Sequence, residues 1–137
     1  MIAVKSSNVK LRFVLTSTTL SPQEISARAK ITPSKSWKTG DVVHPRATNR
    51  HKENGCVVEV VDTALSAAAR QLIDRLKEQS ATLVDLKDVD IELSCIVNVH
   101  GSVPELHLDP EVVAFAASIK AALDFDVYVL SSDDRRE

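Results

Sequence analysis

Cysteine is scarce in this 137-residue chain, which has only Cys56 and Cys95. Both lie in apolar, strand-like stretches, and the chain opens on a short polar segment without a hydrophobic signal region. That combination points to buried thiols rather than a disulfide. The four histidines, His44, His51, His100 and His107, are too dispersed to complete a Cys–His zinc set, so no metal and no cofactor is expected. There are three glycines, Gly40, Gly55 and Gly101. They form neither a phosphate-binding G-x-x-x-x-G-K-[ST] loop nor a G-x-S-x-G nucleophile turn. No apolar run approaches the roughly 18 residues that would span a bilayer. With no signal region visible, the expectation is a cytoplasmic protein with no membrane partner.

What is present fits a globular domain. Hydrophobic residues make up 44% and charged residues 26%, close to the usual globular balance. The length suits one domain over residues 1–137 that buries enough surface to need no staple. The net charge of −2 hides an asymmetry: residues 1–53 hold ten Lys/Arg against three Asp/Glu, and residues 54–137 hold seven against sixteen. Such a chain can offer a basic face to an acidic partner, or its halves can neutralise each other on folding.

Lys10 to Thr16 alternates, with Leu11, Phe13 and Leu15 on one face, which predicts a half-buried strand. Ser21, Pro22 and Glu24 then read as the N-cap, N1 and N3 of a capping box, with Leu20 and Ile25 at the staple positions. Ile31-Thr32-Pro33 ends that helix. Residues 32–55 show no sustained period and read as a long basic loop with a short strand near Val42-Val43. Cys56 to Val61 is a buried strand. Asp62 or Thr63 caps a second helix, whose apolar stripe is Leu65, Ala69, Leu72, Ile73 and Leu76.

Val89 to His100 is the clearest strand, and Gly101-Ser102 suits a type II′ hairpin turn. That turn would set Val99 opposite Pro104, Val97 opposite Leu106 and Cys95 opposite Leu108. Asp109 caps a third helix, with a stripe running from Val112 to Leu123, and Phe125, Val127 and Val129 alternate with Asp124, Asp126 and Tyr128 in a last strand. Residues 131–137 form a polar, frayed tail. The expected fold is α+β: a single antiparallel sheet with helices packed on one face, ferredoxin-like in order from residue 56, with an added N-terminal strand and helix at an edge.

Leu20-Ser21-Pro22-Gln23-Glu24-Ile25, Ile31-Thr32-Pro33, Trp37-Lys38-Thr39-Gly40-Asp41, Leu106-His107-Leu108-Asp109-Pro110-Glu111 and Leu123-Asp124-Phe125-Asp126-Val127-Tyr128 follow one another in an order that resembles a bacterial family known only as domain of unknown function 4279. Gly55-Cys56-Val57 departs from that pattern, where members often carry Trp. The resemblance implies a small bacterial α+β protein without an assigned activity, and it brings no catalytic residues.

The leading expectation is a non-enzymatic interaction module, immunity- or regulator-like by fold-level analogy. Its candidate binding residues are Trp37, Lys38, Gly40, Asp41, Arg46 and Arg50 in the loop, with Asp126 and Tyr128 on the last strand. An acidic protein is the expected partner, and charge reversal at Lys38, Arg46 and Arg50 would weaken binding. The competing expectation is a small enzyme or ligand-binding domain with a pocket between loop and last strand, using Asp41, Asp126 and Tyr128. Weak nucleic-acid binding by the loop comes third, disfavoured by a lone aromatic and a net acidic chain. The chain is expected to be a monomer or a homodimer, pairing through an edge at Val89–His100.

Overall fold

The structure, a computed structural model, describes residues 6–43 and 48–130. Five strands form one sheet: β1 (Asn8–Ser17), β2 (Lys35–Trp37), β3 (Asn54–Asp62), β4 (Asp90–His100) and β5 (Ala122–Leu130), in the spatial order β2-β3-β1-β4-β5. The helices are α1 (Pro22–Ala29), α2 (Leu65–Leu76), the short α3 (Ser80–Val84), which follows a 3₁₀ turn, and α4 (Pro110–Ser118). Among the described residues no helix is long and apolar enough to cross a membrane.

The alternation read in β1 becomes the centre of the molecule. Val9, Leu11, Phe13 and Leu15 are buried on one face, and their neighbours on the other face are half-buried. Phe13 pairs with Val58 on β3 and with Leu93 on β4, so one apolar row crosses three strands. Leu65, Ala69, Leu72 and Leu76 of α2, Ile25 of α1 and Val112 and Ala116 of α4 pack on that row. Placing β1 at an edge is therefore wrong, because β1 has ladders on both sides. β4 is also interior, between β1 and β5, and the edges are β2 and β5. Local periodicity identifies strands but carries no information about which distant strand each will join.

The expected hairpin after β4 does not form, and with it goes the ferredoxin-like order. Both sides of β4 are occupied, by β1 and by a parallel β5, leaving no edge for residues 103–108. The sheet is mixed, not antiparallel, and the parallel pair requires the crossover that α4 supplies. Gly101, with φ 87°, turns the chain, and Glu105 goes to α2 instead. The Glu105 carbonyl accepts from Leu65 N–H at 2.9 Å, and its carboxylate accepts from Ser66 N–H at 3.0 Å and from the Ser66 hydroxyl. The α2 N-cap is Ala64, which has no capping side chain, so a carboxylate 39 residues away satisfies the helix N-terminus. Asp62 holds the preceding turn through Thr63 and Ala64 N–H instead of capping α2.

The first helix follows its sequence signals. Ser21 and Glu24 exchange both bonds of the capping box at 3.1 Å, and Leu20 and Ile25 are buried. At α4, Asp109 holds the N-cap backbone position, but its side chain binds Arg70 and His107, each at 3.0 Å. The α4 stripe also ends sooner than expected. Lys120, at φ 57°, and the bonds Lys120 N–H to Ala117 O and Ala121 N–H to Ala116 O close a Schellman turn, which leaves Leu123 to β5.

Candidate functional site

The helices cover one face of the sheet, and the other face carries the polar residues. On this open face Glu59 of β3 stands opposite Arg12 of β1 and diagonal to Lys35 of β2, which pairs with Val57. Glu59 lies 3.3 Å from Arg12 Nε and 3.5 Å from Lys35 Nζ. The Arg12 Nε–H is buried and not aimed at any acceptor, so this contact is an ion pair rather than a hydrogen bond.

Trp37 lies over Gly55, its β3 partner, and stacks on His51 with ring centroids 4.6 Å apart. Burial lowers the His51 pKa and the nearby Arg12 guanidinium lowers it further, against an opposing pull from Asp41.

The segment expected to be a long loop with a short strand near Val42-Val43 is built as a hairpin extension, with an isolated bridge at Val42. Lys38 O accepts from Asp41 N–H at 3.0 Å across a turn with Gly40 at φ 95°, and the Asp41 carboxylate accepts from Lys38 N–H at 2.8 Å. Gly40 thus fills the left-handed third position of a type II turn. Gly40 and Asp41 exchange backbone bonds with His51, Val42 bridges Arg50, and the Arg50 guanidinium donates to Gly40 O at 2.9 Å. Asn54 ties the turn to the body through Thr39 N–H and Leu20 O. Trp37, Lys38, Gly40, Asp41 and Arg50 therefore come together, and much of their polarity is spent holding the hairpin. Arg46 lies outside the described residues, as does His44.

Asp126 and Tyr128 are elsewhere. They sit on β5 at the opposite edge of the sheet from β2, four strand spacings away, roughly 19 Å by the usual interstrand distance. Asp41 and those two residues do not converge on a shared pocket. Among the described residues no three His, Cys, Asp or Glu side chains stand close enough to hold a metal ion. Both cysteines are free and buried, and burial pushes each thiol pKa up to about 11, which keeps them protonated and inert.

The feature that sequence reasoning missed is the exposure of β5. Its alternation is as expected, but every residue from Ala122 to Leu130 is exposed. Leu123, Phe125, Val127 and Val129 continue the core rows of β4 past the helical layer and remain 48%, 47%, 56% and 75% exposed. Between α4 and β5 an apolar cleft opens, lined by Val113, Ala116, Leu123 and Phe125. On the open face Asp124 and Asp126 of β5 lie beside β4, whose Asp90 and Glu92 point the same way. The basic side chains Lys10, Arg12 and Lys35 sit on β1 and β2 of that face, so the charge split along the sequence becomes a charge gradient across the sheet.

The family model described as a domain of unknown function (DUF4279) matches residues 7–130. The chain belongs to this family. No curated protein and no solved structure matches it. The matched span of the DUF4279 domain runs from just before β1 to the last residue of β5. It includes both the Trp37–Asp41 turn and the exposed edge.

Proposed function

We propose that this DUF4279 domain is a non-enzymatic protein-interaction module and that β5 is its contact element. The observation that carries this reading is an edge strand whose nine residues are all exposed, four of them a row of large apolar side chains. Free edges are usually blunted by charge, proline or a cover; β5 carries Asp124 and Asp126 on its open side, while its apolar side is left exposed. A contiguous apolar strip of this kind marks a contact surface. The reading moves the contact away from the basic hairpin, where Arg50 and Asp41 serve the hairpin's own turns and Lys35 pairs with Glu59.

The test is a pull-down from the source cell's lysate, with the domain and its Val127→Lys/Val129→Lys variant as parallel baits. Both positions are more than half exposed, so the variant should melt at the temperature of the parent. A stoichiometric partner captured by the parent and lost with the variant supports the reading. A partner retained by the variant removes β5 from it, and no partner at all retires it.

A further inference from the structure

We propose that the β5 edge receives an extended segment of a partner protein in which apolar and basic residues alternate. This rests on the interaction-module reading and specifies its partner. β5 pairs with β4 along one side only, and among the described residues no strand lies along its other side. An edge of this kind binds by strand addition: main-chain hydrogen bonds supply affinity, and alternate side chains supply specificity.

Each alternate set of the incoming side chains meets a different chemistry. On the helix side they would lie against Leu123, Phe125, Val127 and Val129 and reach the cleft beside the half-exposed Val113 of α4, so that set is apolar. On the open side β5 presents Ala122, Asp124, Asp126, Tyr128 and Leu130, and the charged groups they would meet are Asp124 and Asp126, backed by Asp90 and Glu92 of β4. Among the described residues none of these four carboxylates is in an ion pair, so the second set is Lys or Arg.

A second copy of this chain fits the edge less well. If two β5 strands paired with their apolar rows on the same side, the rows that hold Asp124, Asp126 and Tyr128 would adjoin on the other. In the register that places Asp126 at the twofold it would face its own counterpart, and like charges across a strand pair are destabilising.

The experiment measures binding of a fluorescein-labelled nonapeptide of alternating Val and Lys by anisotropy. Its controls are an alternating Val–Glu peptide, a peptide of the same composition with Val and Lys in separate blocks, and Val–Lys peptides N-methylated on either alternate set. The expected result is that Val–Lys binds at least tenfold tighter than Val–Glu and the block peptide. One N-methylated set should abolish binding, and Asp124→Asn/Asp126→Asn should weaken it about fivefold with the melting temperature unchanged. Equal binding of the block peptide, or indifference to both N-methylated sets, would mean charge attraction alone and overturn the proposal.

Light scattering decides the second-copy alternative. A dimer that Val127→Lys converts to monomer overturns the proposal too. If the lysate partner is lost with the β5 variant while the Val–Lys peptide does not bind, the partner chemistry fails and the interaction module stands. If the lysate partner ignores the β5 variant, the module reading itself fails at this edge.

Discussion

A Cβ at Gly55 would overlap the Trp37 indole, 2.6 Å from Cε2 and 2.8 Å from Nε1. The Trp37-Lys38-Thr39-Gly40-Asp41 segment thus has two glycine requirements, one for a left-handed turn at Gly40 and one for bare backbone beneath the ring at Gly55. Gly55→Ala should cost about 1–3 kcal/mol by overpacking, with a red-shifted emission from the sole tryptophan as the ring lifts into water. Chemical denaturation followed by fluorescence reads both at once. Lys120 shows the opposite situation: it closes α4 in a left-handed conformation that strains any residue with a Cβ. Lys120→Gly should therefore stabilise the domain, by roughly 0.5–1 kcal/mol once the looser unfolded chain is counted. A lower stability in urea unfolding would show that the Lys120 side chain contributes more than its backbone costs. The capping box at Ser21 was legible from sequence because it is written in adjacent residues. The Gly55–Trp37 contact was not, because the two positions meet only through the β2–β3 ladder.

Among the elements, α2 depends most on something outside itself. Its N-terminal N–H groups are satisfied by Glu105, whose pKa is lowered first by the Ser66 hydroxyl bond and then by the Ser66 N–H. A carboxylate with a lowered folded pKa stabilises the fold above its ordinary value of 4.5, and that contribution is lost as the pH falls through the folded value. Glu105→Ala should lower the melting temperature at pH 7 by a few degrees, and the gap from the parent should narrow below pH 4.5. A gap independent of pH would mean that the side chain acts by packing. This element also shows how the hairpin reading failed. The pattern of Val103 to Leu108 is compatible with a strand, but two neighbours already occupy the sides of β4, and α2 lacks a capping residue of its own. Competition between distant partners settled that segment, and local pattern cannot report it. The β5 strand was legible as a strand for the same reason that its exposure was not: alternation gives the faces of a strand, and only the extent of the helical layer says whether a face is covered.

At the scale of the whole molecule, the charge split seen along the chain is a gradient across the open face, from Lys35 and Arg12 toward Asp124 and Asp126. The halves of the chain do not cancel residue by residue, since among the described residues Glu59 is the only carboxylate paired with the basic side. The central position of β1 has a kinetic consequence. Phe13 rests between Val58 and Leu93, both far along the chain, so the first strand made has no sheet to join until β3 and β4 exist. Closing those loops comes before any reward from burial, which places the domain among slow folders of its size. Refolding by stopped flow should take milliseconds to seconds rather than microseconds. Phe13→Ala should slow that step as well as destabilise the product, because β3 and β4 are both laid against β1.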